Sequence, residues 1–222
     1  WLDNIQKFED HWANSKTVLL YDLIGKPVFK PVNEIPPGEI KNELENILDL
    51  LSNNSIAVDT ICGVEDRELY RFITEELFKH ETDMVIPGMT CHFTYEEFHP
   101  NHEYDIKNHC QDFLRQLFKK KSDLNPDYLP LTKKINTKKG IITVDQLIKK
   151  LNAFRDTFDT LQLSRFEISS LKIGKRTAKV NFEISFSGRM EGSWEKKLFS
   201  GKGRFSMNYK WDYWCICGME MP

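Results

Sequence analysis

The stretch TAKVNFEISFS, residues 177–187, alternates strictly between apolar and polar side chains. Its apolar positions are Ala178, Val180, Phe182, Ile184 and Phe186, and its polar positions are Lys179, Asn181, Glu183 and Ser185. Because successive side chains of a β-strand point to opposite faces, this period of two predicts a strand with one buried and one exposed face. The neighbouring segments should then supply more strands and a layer that covers the buried face.

Three further segments around this stretch predict strands. They are RFEISSLKI (165–173), MEGSWEKKLFS (190–200) and GRFSMNYKWDYWCICGMEM (203–221). Turns are predicted at residues 174–176, at Gly188 and at residues 201–203, because glycine favours tight turns and the links have hairpin length. The sequence thus predicts four consecutive antiparallel strands in one curved sheet.

The segment before these strands predicts a helix that packs on the sheet. Thr143 and Gln146 are typical of a capping box, in which each side chain bonds the other residue's backbone N–H. Apolar residues at helical spacing follow at Val144, Leu147, Ile148, Leu151, Phe154, Phe158 and Leu161. Residues 143–222 are therefore predicted to form an α+β domain with one helix from Thr143 to Leu161 and a four-stranded sheet.

This order of elements, ending in YKWDYWCICGMEM (209–221), resembles the cystatin-like and NTF2-like α+β rolls. Members of that group range from small-molecule isomerases to binding modules, so the resemblance implies a fold more than an activity. The enzymes among them often place an Asp, His or Tyr between helix and sheet. Here the second half of the chain has no histidine, and Asp212 falls on the strand face opposite Tyr209 and Trp211. We therefore expect a binding surface, with Tyr209, Trp211 and Tyr213 as its ligand-binding residues.

Residues 1–120 are predicted to form a separate, helix-rich mixed domain. Its clearest helix follows Pro36 and Pro37, where Ile40, Leu44, Ile47, Leu48 and Leu51 recur at helical spacing. Further helices are predicted in DRELYRFITEELFKH (66–80) and from His102 to Phe118. The lysine-rich segment 121–142 has prolines and little periodicity, so it is predicted to be a linker.

Net charge also divides the chain. Residues 1–130 carry 13 Lys and Arg against 24 Asp and Glu, a net charge of −11. Residues 131–222 carry 18 against 9, a net charge of +9. This asymmetry predicts two units with different surfaces, one acidic and one basic.

The stretch CHFTYEEFHPNHEYDIKNHC, residues 91–110, holds four of the six histidines. The candidate metal ligands in it are His92, Glu96, His99 and His102. Imidazole and carboxylate groups are usual ligands of zinc and iron, but the spacing matches no defined metal motif. The alternative is a set of surface or partly buried histidines, with Asn101 as a helix cap. We favour the alternative and therefore expect no cofactor. If the histidines do bind a metal, the expected ion is zinc or iron.

Two functional hypotheses follow. The preferred one is a non-catalytic cytoplasmic binding or regulatory protein whose partner is a small molecule or another protein. The other is a metal-dependent enzyme that uses residues 91–110, with Glu96 as general base. A cytoplasmic location is favoured because the chain has only five cysteines, which we interpret as reduced thiols. No apolar run approaches the roughly 20 residues of a membrane helix.

The sequence also indicates which classes of binding partner to expect. Nucleic acid is disfavoured, although the second half is basic, because most aromatic residues there occupy positions predicted to be core. No membrane partner is expected, and a homo-oligomer is left open.

Overall fold

The computed structural model describes residue 5 and residues 17–82, 89–119 and 123–222. The chain divides into two compact units between Asn101 and His102. Residues 1–101 carry 8 Lys and Arg against 19 Asp and Glu, a net charge of −11, and residues 102–222 carry 23 against 14, a net charge of +9. The charge asymmetry therefore follows the two units, although their boundary lies earlier than the sequence predicted.

The first unit contains short strands and two longer helices. Its elements are β1 (Val18–Leu19), α1 (Leu20–Leu23), α2 (Ile40–Asn53), β2 (Ile56–Asp59), α3 (Asp66–Glu75), β3 (Glu81–Thr82), β4 (Cys91–Thr94) and α4 (Tyr95–Phe98), with 3₁₀ turns at Val32–Glu34 and Leu77–Lys79. β1 pairs antiparallel with β3, and β2 pairs parallel with β4. Leu51 on α2 and Tyr70, Phe72 and Ile73 on α3 are fully buried in its core. The two helices predicted in this region are thus confirmed as α2 and α3.

The second unit is built on one large sheet. Its elements are α5 (His102–Phe118), β5 (Leu131–Thr137), β6 (Gly140–Thr143), α6 (Val144–Asp156), β7 (Phe158–Ile173), β8 (Thr177–Met190), β9 (Lys196–Lys210) and β10 (Tyr213–Glu220), with a 3₁₀ turn at Pro126–Tyr128. Among the described residues, six strands lie in the order β6-β5-β10-β9-β8-β7. The β5–β10 pair is parallel and the other pairs are antiparallel. The α+β class and the four consecutive antiparallel strands are confirmed.

The predicted linker over residues 121–142 is wrong where it overlaps the sheet. β5 and most of β6 lie in this segment, so the sheet has six strands rather than four. On β5, Ile135 is fully buried while Lys133 and Lys134 are exposed. A single buried residue among lysines gives almost no periodicity, which is why the sequence did not predict this strand.

The prediction of one covering helix is also wrong, because α5 packs on the same sheet as α6. The ring of Phe113 on α5 lies 5.6 Å from that of Phe205 on β9, and the ring of Phe118 lies 5.1 Å from that of Phe186 on β8. The apolar spacing of residues 102–118 predicted the helix correctly. It could not predict which core that helix would join.

The capping box predicted for α6 is confirmed. The backbone N–H of Gln146 donates to Thr143 Oγ1 at 3.2 Å, and that of Thr143 donates to Gln146 Oε1 at 3.1 Å. The helix ends at Asp156 instead of reaching Leu161, and Phe158 begins β7. The buried position of Phe158 was therefore predicted correctly, but on the wrong element.

Two of the predicted turns lie inside strands. β8 continues through Gly188, and β9 continues through residues 201–203. A Cβ atom on Gly203 would lie 2.4 Å from Cζ of Phe182, and one on Gly188 would lie 2.4 Å from Cδ1 of Phe158. Glycine is needed at these places because an aromatic ring covers the backbone, not because the chain turns.

The first testable prediction concerns this contact. Gly203→Ala should lower the free energy of unfolding by about 1–3 kcal/mol, because the new methyl group overlaps the Phe182 ring. Urea denaturation followed by circular dichroism would measure it. The control is Gly174→Ala, where a Cβ atom meets nothing closer than 3.4 Å and the change should stay within about 0.5 kcal/mol. Equal effects of the two substitutions would contradict the packing account.

Candidate functional site

The histidine-rich stretch runs along β4 and α4 into the start of α5. His92 lies on β4, and its Nε2 is 2.6 Å from Oδ2 of Asp59 on the paired strand β2. Both side chains are more than half exposed. This is a surface contact between neighbouring strands.

His99 belongs to a network of five polar side chains. Its Nε2 is 2.8 Å from Glu76 Oε2, and its ring stacks on Tyr95 with the ring centres 4.7 Å apart. Arg71 donates one hydrogen bond to Glu76 at 2.6 Å and two to Glu68, the shorter at 2.5 Å. The Tyr95 hydroxyl donates to Glu68 at 2.8 Å. These bonds link α3 to α4. The polar side chains of the network thus form hydrogen bonds with one another.

Electrostatics within this network fix the protonation state of Glu68 and Tyr95. The hydrogen bonds from Arg71 lower the pKa of Glu68 to about 2 against the opposing effect of partial burial. Burial and the bond to Glu68 raise the pKa of Tyr95 to about 12. At neutral pH the pair is therefore a carboxylate and a neutral phenol, which suits a structural contact better than proton transfer.

Glu96 closes the loop that follows β2. Its two carboxylate oxygens accept the backbone N–H groups of Ile61 at 2.9 Å and Cys62 at 2.7 Å. Burial alone would raise the pKa of Glu96, but these hydrogen bonds lower it. The carboxylate proposed as a general base therefore holds a loop in place.

The other two histidines lie on α5 in the second unit. His102 Nδ1 accepts a hydrogen bond from the indole N–H of Trp214 at 3.3 Å. The ring of His109 lies 4.2 Å from that of Tyr213, and burial lowers the pKa of His109. Both histidines thus belong to the contact between α5 and the start of β10.

Of the residues proposed as metal ligands, Glu96 and His99 line one pocket of about 360 Å³ in the first unit, whereas His92 bonds Asp59 on the neighbouring strand and His102 belongs to the second unit. His92, His99, His102 and Glu96 each bond to a different partner. Within the described parts of the chain, no group of three His, Cys, Asp or Glu side chains could hold a metal ion. The arrangement does not fit the predicted zinc or iron site.

A different candidate lies at the turn between β9 and β10. Lys210 pairs with Tyr213, so Trp211 and Asp212 form a two-residue hairpin turn. Their φ angles are 53° and 55°, which are left-handed values that favour glycine and asparagine. Such a conformation costs a non-glycine residue roughly 1–2 kcal/mol. Packing of Trp211 does not offset this cost, because the residue is 97% exposed.

The three residues predicted to bind a ligand lie before, within and after this turn. Tyr209 is partly buried on β9, with its ring 5.1 Å from that of Trp214. Trp211 lies in the turn, and Tyr213 begins β10. They do not share one strand face, because two turn residues interrupt the alternation on which the prediction rested.

A pocket of about 410 Å³ is lined by Arg176, Tyr209, Lys210, Trp211 and Asp212, which we call the hairpin-tip site. The backbone N–H of Tyr209 donates to the carbonyl of Arg176 at 3.0 Å, so the β7–β8 and β9–β10 turns lie side by side. The Tyr209 hydroxyl donates to Asp212 Oδ1 at 3.4 Å. Arg176 and Lys210 are exposed, and neither has an ion-pair partner among the described residues. The site combines an open aromatic face with two available cations.

Sequence reasoning missed Arg176 and Lys210 as parts of this site. The available signal was the Trp-Asp pair between two strand-like segments, which is the length of a tight hairpin turn. Asn-Gly or Asp-Gly usually marks such a turn, and a tryptophan inside an aromatic segment favours a continuous strand. The left-handed turn could not be read from these residue types.

Comparison with known proteins finds similar solved structures only. No family model matches the chain, and no curated protein matches it. Similar solved structures include a conserved protein from Planctomyces limnophilus (10% identity, 53% of this chain and 91% of that chain, TM-score 0.44). An NTF2-like superfamily protein from Salmonella enterica is 12% identical over 53% of this chain and 87% of that one, with a TM-score of 0.42.

A protein of unknown function with a cystatin-like fold, from Nostoc punctiforme, is 15% identical over 53% of this chain and 86% of that one, with a TM-score of 0.39. The Salmonella and Nostoc proteins carry the NTF2-like and cystatin-like names that the sequence resembled. At such identities and scores the similarity concerns the fold and carries no argument about activity.

The second prediction tests the network around Arg71. Because the pKa of Glu68 falls from 4.5 to about 2 on folding, its carboxylate adds stability above pH 4.5 that is lost as the pH falls toward 2. Glu68→Gln should therefore lower the free energy of unfolding at pH 7 by about 1 kcal/mol, since solvent screens a side chain that is 37% exposed. The difference from wild type should close between pH 4.5 and 2 in urea unfolding experiments.

The control for this prediction is Asp49→Asn, which makes the same charge change at an exposed position of α2. It should alter the free energy of unfolding by less than about 0.5 kcal/mol at pH 7. A Glu68→Gln deficit that persists unchanged at pH 2 would show that the network does not depend on the ionised carboxylate.

Proposed function

We propose that this is a non-catalytic binding protein whose second unit takes an anionic, ring-bearing small molecule at the hairpin-tip site. The observation that carries the proposal is Trp211, which is almost fully exposed beside Arg176 and Lys210. An exposed indole face stacks on a planar ring, and the guanidinium and ammonium groups attract an anion. The site thus offers a complementary group for each part of such a ligand.

The backbone supports a ligand-binding role for Trp211. Asparagine or glycine would adopt the left-handed turn at lower cost. The side chain of Trp211 also contributes little packing to the chain, because the residue as a whole is 97% exposed. Neither the turn nor the core therefore accounts for tryptophan at this position, whereas contact with a ligand does.

The charge of the second unit supports an anionic ligand. Residues 102–222 have a net charge of +9, which raises the local concentration of anions at the surface. Of the five residues that line the site, one is acidic, and Asp212 already accepts the Tyr209 hydroxyl. Stacking and charge are what these side chains supply, and both are means of binding.

The cytoplasmic location is part of the proposal. Cys110, Cys215 and Cys217 are thiols rather than disulfides, as a reducing compartment favours. Burial raises the pKa of Cys110 to about 12, so this thiol resists oxidation. No helix in the described parts of the chain has the length and apolar character needed to cross a membrane.

The third prediction uses naphthalene-2-sulfonate as the probe. A ligand efficiency of about 0.3 kcal/mol per non-hydrogen atom puts its dissociation constant near roughly 1 mM. The indole N–H signal of Trp211 in ¹H–¹⁵N NMR spectra should shift on titration. Trp211→Asn should abolish binding while keeping or raising stability, because asparagine accepts the left-handed turn.

Trp194 provides a matched control, since it is also 97% exposed but lies between β8 and β9, at the opposite end of the long strands. Trp194→Asn should leave the affinity unchanged. Neutral 2-naphthalenemethanol should bind at least several-fold more weakly than the sulfonate. Equal shifts at both tryptophans, or no shift of Trp211 at millimolar probe, would reject the proposed function.

A further inference from the structure

We infer that the hairpin-tip site is one end of a longer binding track for single-stranded nucleic acid. This inference rests on the proposed function, because it uses the same indole and cations, and it extends the ligand from a small molecule to a polymer of anionic, ring-bearing units. The track consists of Lys172, Lys175, Arg176, Lys179, Lys210 and Trp211, all of which are exposed. None of its five cations forms an ion pair among the described residues.

The far end of the track contains two lysines in direct opposition. Lys172 on β7 pairs with Lys179 on β8, and like charges in this arrangement destabilise a sheet. Both line a pocket of about 380 Å³, together with Thr177, Ser206 and Asn208 and with apolar residues that include Ile173 and Met207. Two ammonium groups with hydroxyl and amide neighbours form a suitable site for a phosphate group. An anion that binds there relieves the repulsion.

The length of the track distinguishes a chain of phosphates from a single one. Lys179 lies opposite Ser206 on β9, and Trp211 follows five residues later. At about 3.3 Å per strand residue, these positions are about 16 Å apart. One phosphate group cannot contact both ends. An extended oligonucleotide can place phosphates on the lysines and a base on the indole.

Cations farther along the same face of the sheet differ from those of the track. Lys202 lies 3.4 Å from Glu183, and Arg204 lies 3.8 Å from Glu220. Their charges are partly neutralised within the chain. These two cations are therefore less available to an anion than the five of the track.

The exposed tryptophan favours single strands over a duplex. Bases in a single strand can stack on an aromatic side chain without breaking base pairs, and such stacking tolerates any base. The sequence disfavoured nucleic acid because most aromatics of this half were predicted to be core. Phe205 and Trp214 are indeed buried, but Trp211 is not. It supplies the stacking group that a basic surface alone would lack.

The fourth prediction measures binding of a fluorescein-labelled oligouridylate of about 12 nucleotides by fluorescence anisotropy with the full chain. Log K should fall linearly with log salt concentration, at a slope of about −0.7 for each phosphate contact in a single strand. Lys172→Ala combined with Lys179→Ala should reduce the slope by about 1.4 and weaken binding at 0.1 M salt on the order of 10-fold. Trp211→Asn should weaken binding about 5-fold to 150-fold, the range for loss of one stacked base.

The matched control is Lys196→Ala combined with Lys197→Ala, which removes the same charge from exposed positions at the opposite end of β9. This control should change the affinity by less than about 3-fold. All of these positions are exposed, and thermal unfolding of each variant checks that the fold is kept. Equal losses in the two double variants would overturn the track, because only the net charge would then matter.

Two further outcomes separate this inference from the proposed function. If naphthalene-2-sulfonate shifts Trp211 but the oligonucleotide binds no more tightly than uridine monophosphate or inorganic phosphate, the track is wrong and the small-molecule site stands. If the basic face instead binds the acidic unit of a second copy, sedimentation will show a salt-sensitive dimer that Lys172→Ala with Lys179→Ala dissociates. That result, without oligonucleotide binding, would also overturn the inference.

Discussion

The second unit depends on the burial of one face of β8. Val180, Phe182 and Ile184 are at most 1% exposed, and β8 lies between the two other long strands, β7 and β9. Fully burying each of these side chains contributes roughly 2 kcal/mol. A shift of the pairing by one residue would expose all of them and bury the charged face instead. This constraint fixes the register of the long strands and requires the apolar faces of α5 and α6 as a cover.

The hairpin-tip site follows from the same constraint. β8 and β9 continue through Gly188 and Gly203, where aromatic rings lie over the backbone. β9 continues to Lys210 and turns at Trp211 and Asp212. Trp211 stands in the turn beyond Tyr209 and Trp214, which α5 contacts through His102. Since β7 and β8 also turn there, Arg176 comes beside it.

The histidine-rich stretch shows why a cluster in sequence need not be a site in space. His92 lies on β4 and His99 follows α4, and each contacts its own carboxylate, Asp59 or Glu76. His102 already belongs to the second unit. The polar groups of this region bond to one another, whereas the cations at the hairpin tip have no ion-pair partner among the described residues. The histidine-rich stretch has more titratable residues, but the hairpin-tip site has more polar groups that are available to a ligand.

The sequence by itself determined the α+β class, the buried face of β8, the cap of α6 at Thr143 and the division of charge. These properties depend on local periodicity, neighbouring side chains or composition, which a single segment contains. Only the tertiary structure decided that α5 joins the sheet, that the lysine-rich β5 extends it, and that Trp211 stands in a turn. Each of these depends on pairing between residues far apart in the chain: Ile135 is buried because β5 pairs with β10, about 80 residues later. Local patterns do not encode such pairings, because the energy that selects them comes from the whole core.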